Sequence, residues 1–280
     1  PSSPQGGAVV VKFSGAESED VVSAIARTTT ATSAPQPVGA AGLAYAGLPP
    51  ASTTATALTI YGLRQNATDR SNVAVFNPSP HPVTVRVTAY SGDGSGYFRV
   101  IRDAETIGGF GWVQYSSVLA NASITQGWVV VEKTGGSGSF SAYGVINDNG
   151  TSDGSFVPPT AGSFAGNRLT VPVLVEAGGF RSELVLASRS SASVTLTLSY
   201  VESASPQYGA GGTATVTLRP KEQKVVPDAI EYLRRNGISL GASGTSSFVG
   251  MLRVTVSGAS LSDVFAGART ASQSPAEGQF

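Results

Sequence analysis

The chain has no cysteine, one histidine (His81), one methionine and two tryptophans in 280 residues. Without cysteine there is no disulfide framework, no thiolate nucleophile and no sulfur-rich zinc centre. With a single histidine, His-based zinc sites and Ser–His or Cys–His nucleophile systems are excluded as well. His81 lies in Asn77-Pro78-Ser79-Pro80-His81-Pro82 and reads as a solvated loop residue. Charge is also scarce: 13% of residues against an average of about 25%. The net charge is zero, and the basic residues, 14 Arg and 4 Lys, occur without any block. A nucleic-acid or anionic-membrane partner therefore has no electrostatic footprint. No apolar run approaches the ~20 residues that cross a bilayer, so no membrane insertion is expected. The chain opens on Pro1 without a signal peptide, and is expected to be part of something longer.

Glycine (34) and proline (16) make up 50 of the 280 residues, and Ser, Thr, Ala and Val fill much of the rest. Such a mixture suits short strands joined by tight turns, with hydroxyl-rich outer faces. Regularly spaced Val, Leu, Ile and aromatic residues argue against disorder. The chain also repeats itself. Ser14–Thr28 (SGAESEDVVSAIART) and Ser257–Thr270 (SGASLSDVFAGART) both open Ser-Gly-Ala, place an Asp within and close Ala-Arg-Thr. A weaker third copy runs from Trp128 through Gly135 and from Phe140 to Val145. Arg181–Leu186 answers Arg70–Val75, and Val194–Leu198 answers Val83–Val87, both at an offset of 111 residues.

Alternating apolar positions predict strands at Val9–Phe13, Val21–Ala26 and Gly42–Gly47, which match the second half of the later repeats. A full unit then begins at Leu58, with strands expected at 72–76, 83–90, 97–101, 110–115, 128–133 and 140–146. Its three prolines at 78, 80 and 82 form a rigid join, since proline cannot continue a ladder. In the second unit strands are expected at 181–186, 194–198, 213–218, 249–256 and 264–268. The one strong helix signal is Pro227–Gly237: Pro and acidic residues at its start, two arginines at its end and a glycine stop. A shorter equivalent is expected near Ser116–Ala120.

A period near 110 residues with about seven short strands per unit fits an all-β fold of tandem immunoglobulin-like β-sandwich modules, with one short helix in the last. A closed barrel is the competing all-β architecture. The expected organisation is half a repeat over 1–52, a full sandwich over 53–163 and another over 164–280 that ends about one strand short.

Three stretches carry a resemblance: Gly62–Pro78 (GLRQNATDRSNVAVFNP), Ser141–Pro159 (SAYGVINDNGTSDGSFVPP) and Val225–Ile238 (VVPDAIEYLRRNGI). They resemble tandem Ig-like modules of large secreted bacterial proteins, those of acidobacteria among them. The resemblance spans nearly the whole chain. It implies an extracellular or cell-surface accessory region and carries no catalytic residues. A half-module at one end and a short module at the other raise the expectation of self-association. An incomplete sheet can be completed by a strand from a neighbouring subunit, giving a homopolymer, or by neighbouring modules of a longer chain.

Few residues offer chemistry. Asp148, Asn149 and Asp153 place oxygens along Asn147–Gly154 as calcium loops do, although the closing Glu of an EF-hand is absent. Asn-Gly and Asp-Gly are also ordinary turn dipeptides. Glu17, Glu19 and Asp20 sit together, but glycosidase carboxyls face each other across a cleft, which neighbours on a loop seldom do. Trp112, Tyr115 and Trp128 could form an aromatic platform for a glycan; the plainer reading makes Trp128 the core tryptophan of a sandwich. Sequons stand at Asn66, Asn121 and Asn149. The sequence thus reads as a non-enzymatic extracellular structural protein without a cofactor, calcium excepted. A carbohydrate-binding accessory region of a secreted enzyme is the alternative.

Overall fold

The computed structural model describes residues 9–15, 23–32, 39–48, 56–161, 166–203, 211–241, 247–274 and 278–279. The chain is all-β, built of antiparallel sheets with a single α-helix among the described residues. It divides into two compact units. One comprises Pro1–Ala89, Arg99–Ile124 and Val129–Gly162; the other Tyr90–Phe98, Thr125–Trp128 and Ser163–Phe280.

The strands that lie wholly or mainly in the first unit, in chain order, are β1 (Ile25–Thr32), β2 (Gly39–Ala46), β3 (Ala57–Arg64), β4 (Asp69–Phe76), β5 (Val83–Ser91), β6 (Phe98–Ile107), β7 (Trp112–Tyr115), β8 (Gln126–Gly136), β9 (Ser141–Asp148), β10 (Gly154–Val157) and β11 (Thr160–Ala161). One sheet runs β10-β9-β4-β7 and a second β11-β3-β8-β5-β6, while β1 and β2 pair with each other. The period-2 pattern decides the faces. Val83, Val85 and Val87 of β5 point inward, with Thr84 and Arg86 between them. They share a core with Leu58 and Ile60 of β3, Val73 and Val75 of β4, Val129 and Val131 of β8, and Ala142 and Ile146 of β9. Residues from both sheets line this core, which makes the unit a β-sandwich. Each fully buried aliphatic side chain contributes roughly 1.5–3 kcal/mol.

The proline-rich join is held by Asn77. Its Nδ2 donates to the carbonyls of His81 (2.7 Å), Ile107 (3.2 Å) and Gly108 (3.1 Å). Its Oδ1 accepts from the backbone N–H of Ser79 at 2.9 Å. His81 itself is exposed. The expected helix near Ser116 is a single 3-10 turn, Ala120–Ala122.

Two expectations at the start of the chain change. Residues 9–15 form no strand, and Val9, Val11 and Phe13 stand exposed. Alternation supplies the faces of a strand but not the neighbour that would satisfy its N–H and C=O groups, and among the described residues none pairs with it. Of the strand expected at Val21–Ala26, positions 21–22 lie outside the described residues, and β1 begins at Ile25.

The second unit contains β12 (Arg168–Ala177), β13 (Phe180–Ser188), β14 (Val194–Glu202), β15 (Thr213–Leu218), β16 (Gln223–Val226), α1 (Ala229–Arg235), β17 (Phe248–Ser257), β18 (Val264–Ser274) and β19 (Gly278–Gln279). The order is β15-β14-β17-β12-β13-β18-β19, with β16 also on β13. β12 meets β13 only at Glu176↔Arg181 and Ala177↔Phe180, a short hairpin that links two strand groups. Leu184, Leu196, Leu198, Leu252, Val254 and Leu261 are among the core residues, and Ile230 and Leu233 of α1 complete it. Asp228 caps this helix by accepting from the N–H of Glu231 at 3.0 Å. Gly237, at φ 95°, follows its end.

The two units share one strand plan. In the first, β9-β4-β7 and β3-β8-β5-β6 are neighbours; in the second, β18-β13-β16 and β12-β17-β14-β15 occupy the same places. Val73 and Leu184, at the 111-residue offset, each pair with the last strand of the plan: Val73 with Gly144 in β9, and Leu184 with Ala268 in β18. Numbering the strands of a unit one to seven, pairs two–five and three–six are those of an immunoglobulin sandwich. Strands one and four lie with three and six instead, and strand seven lies beside strand two. β1 and β2 repeat the β9–β10 hairpin, and β19 pairs with the end of β18, at Gln273 and Ser274, where the corresponding strand would begin.

Candidate functional site

The loop from Asp148 to Asp153 joins β9 to β10. Asp148 Oδ1 accepts from the backbone N–H of Gly150 (2.8 Å) and of Thr151 (2.7 Å) and from Thr151 Oγ1 (3.0 Å). The chain closes across the loop, Asp148 N–H donating to Asp153 C=O at 2.9 Å. Asn149 Oδ1 accepts from Arg70 Nη1 at 2.9 Å, and Asp153 Oδ1 accepts from the N–H of Gly42 at 3.1 Å. All three side chains are engaged in holding the turn and its neighbours, which is the work of an Asx turn. Among the described residues no three His, Cys, Asp or Glu side chains converge as metal ligands would.

The three aromatic residues fall in three different settings. Trp112, half-buried on β7, donates its Nε1–H to Tyr143 Oη at 3.2 Å. Tyr115 lies three positions further along the same strand, so it faces the opposite way and belongs to the core, 6% exposed. Trp128 is 1% exposed, with its ring stacked against Tyr90 at 6.0 Å. A flat platform made of all three does not form, because the period of the strand turns Tyr115 inward and burial removes Trp128 from solvent.

Other aromatics do gather. Tyr143 of β9 has Tyr45 of β2 edge-on at 5.5 Å and Phe156 of β10 at 5.5 Å, and Tyr45 lies 5.8 Å from Phe156. Burial raises the phenol pKa values of both Tyr143 and Tyr45. Beside them is a pocket of about 200 Å³ whose lining includes Thr28, Tyr45, Asn72, Gln114 and Asn147. No local pattern marks this cluster, because Tyr45, Tyr143 and Phe156 come together only when β2 lies against β9 and β10.

The strand edges form the second feature. β6 ends one sheet and β7 ends the other, so each has one side without a neighbouring strand among the described residues. Between them lies an open groove of about 390 Å³. Four consecutive β6 residues line it, Arg99, Val100, Ile101 and Arg102, as do Gln114, Tyr115 and Ser116 of β7. Consecutive positions can line one groove only if it runs along the strand edge, where main-chain groups are accessible. Arg102 lies over the Tyr115 ring, 5.7 Å from its centre, and pairs with Glu105 at 3.5 Å. Burial pushes the Tyr115 phenol up to about 12, with Glu105 adding to the rise and Arg102 opposing it. Its hydroxyl is buried without a hydrogen-bond partner.

Comparison with protein-family models, curated proteins and solved structures finds no match for this chain.

Proposed function

We propose that this chain is a non-enzymatic structural protein, extracellular or at the cell surface, whose tandem β-sandwich modules associate through open sheet edges. The observation that carries the reading is the shared strand plan: the same seven-strand order in both units, each ending in edge strands that expose main-chain groups. Repeated sandwiches extend a chain by stacking like units. Open edges let chains add to one another through main-chain hydrogen bonds, with alternate side chains setting register. The scarcity of charge and the hydroxyl-rich outer faces suit a surface or filament subunit better than a catalyst. Sedimentation velocity and negative-stain electron microscopy of the purified chain test this. Concentration-dependent assemblies with a regular repeat are the expected outcome; a monomer at every concentration would overturn the associating role.

The carbohydrate-binding alternative finds support in one place, the pocket beside Tyr45, where neutral amides and hydroxyls flank an aromatic ring. Calorimetric titration with neutral oligosaccharides tests it, and Asn72→Ala should abolish any binding seen there.

A further inference from the structure

We propose that β6 is a self-recognition strand: its free edge pairs antiparallel with β6 of a second copy, about a two-fold axis at Ile101, joining two five-stranded sheets into one of ten. The inference rests on the associating role proposed above and names the edge that performs it.

Soluble proteins blunt a free strand edge with proline, charge, a bulge or a short length, because an open apolar edge pairs with whatever strand it meets. β6 has ten residues and neither proline nor glycine; its four charges, Arg99, Arg102, Asp103 and Glu105, balance two against two, so they repel a like-charged strand but not a complementary one. It leaves Phe98 at 55% and Val100 at 41% exposure. The second unit provides an internal comparison. β15 occupies the same place in the strand plan, and its outward residues are Thr213, Thr215 and Thr217 while its apolar residues are buried. The shared fold therefore does not require exposed apolar residues at this edge; the first unit alone has them.

The charge pattern of β6 specifies a partner. A two-fold axis through an antiparallel pair sets one residue opposite itself, since the ladder's hydrogen-bonded and non-bonded pairs alternate. With Ile101 on the axis, Arg99 falls opposite Asp103 of the second copy and Asp103 opposite its Arg99. Phe98 then faces Ala104 of the second copy. Cross-strand pairs of opposite charge stabilise a sheet, and like charges oppose it. Asp103 is available, since its side chain keeps 74% exposure even while it accepts from Arg86 Nε at 2.7 Å. A strand of unrelated sequence would not complement both charges, whereas a second copy does so twice.

The chain's lack of cysteine makes the test specific. Opposed residues in an antiparallel pair have Cα atoms about 4.5–5.5 Å apart, within the roughly 4.4–6.8 Å that disulfides span. Arg99→Cys and Asp103→Cys are made as separate single variants of the 280-residue chain and oxidised mildly, alone and mixed. A disulfide-linked dimer is expected from the mixture and not from either variant alone. In parallel, Val100→Lys should weaken association about tenfold or more, with the circular dichroism spectrum unchanged. If the chain associates but the mixture yields no linked dimer and Val100→Lys has no effect, the β6 contact is overturned while the associating role stands. If the chain is monomeric throughout, both fall.

Discussion

Ser71 and Ser182 occupy equivalent positions, 111 residues apart, and do the same work. The Ser71 hydroxyl is fully buried; it accepts from the N–H of Arg64 at 2.9 Å and donates to the Arg64 carbonyl at 2.7 Å. The Ser182 hydroxyl accepts from the N–H of Val175 at 2.7 Å and shares a bond with Thr270 Oγ1 at 2.6 Å. In both units a serine near the start of the second strand reaches back seven residues and clips the end of the first. Replacing Ser71 by alanine removes two hydrogen bonds to the main chain of buried Arg64. Each hydrogen bond contributes about 0.5–1.5 kcal/mol net, and both of these are lost together. The expected loss for Ser71→Ala is therefore about 2 kcal/mol, with a similar value for Ser182→Ala. Because the chain has two units, a single melting curve does not isolate the effect. Native-state hydrogen exchange read residue by residue does. Ser71→Ala should speed exchange at the Arg64 amide and leave Val175 protected, and Ser182→Ala should do the reverse. A change below about 0.5 kcal/mol in both variants, or equal changes at both amides in either one, would refute the reasoning.

Two further outcomes follow from single side chains. Glu176, 2% exposed, pairs with Arg234 at 2.6 Å. Glu176→Ala leaves that guanidinium with Glu231 at 3.3 Å as its remaining carboxylate, and should destabilise the second unit by about 3 kcal/mol in denaturant unfolding, since removing one partner of a buried pair leaves a charge uncompensated. Glu176→Leu with Arg234→Leu should recover most of that loss, and a double variant as unstable as the single would count against the account. Tyr115→Phe removes a buried hydroxyl that has no partner, so the variant should be as stable as the parent at neutral pH or more so by about 1 kcal/mol. The same phenol ionises near 12 in the fold against an ordinary 10.0, so its contribution is whole below pH 10 and lost as pH rises through 12. The parent should therefore lose more stability than Tyr115→Phe over that interval, and parallel curves would refute it.

Much of the strand plan is readable from residues alone because burial imposes a period of two. Val83, Val85 and Val87, with Val194, Leu196 and Leu198 at the same offset, announce two equivalent core strands. The helix is readable too, since Asp228 and Gly237 are local signals acting within a few residues. Positions that depend on a distant neighbour are another matter. Val9, Val11 and Phe13 alternate as cleanly as any core strand, yet pairing is a property of two segments, and alternation describes one. Tyr115 and Trp128 read as platform candidates because sequence gives their chemistry without their facing. Strand phase turns one inward and burial takes the other.

The same distinction explains why the edges escape a reading of residues. Which strand lies outermost follows from the order in which strands pair, and the departure from immunoglobulin order places β6 and β15 at the edges of their strand groups. Nothing in FRVIRDAETI or TATVTL marks either as an edge. Once the order is known, their difference gains a meaning it lacked. Thr213, Thr215 and Thr217 present an uncharged but hydrated face that competes poorly with water for a partner, whereas Val100 with the two basic residues Arg99 and Arg102 followed by the two acidic residues Asp103 and Glu105 presents apolar area together with a charge code. Two copies of one fold thus carry one quiet edge and one legible one, and that asymmetry is what the proposed association through β6 of the first unit would exploit.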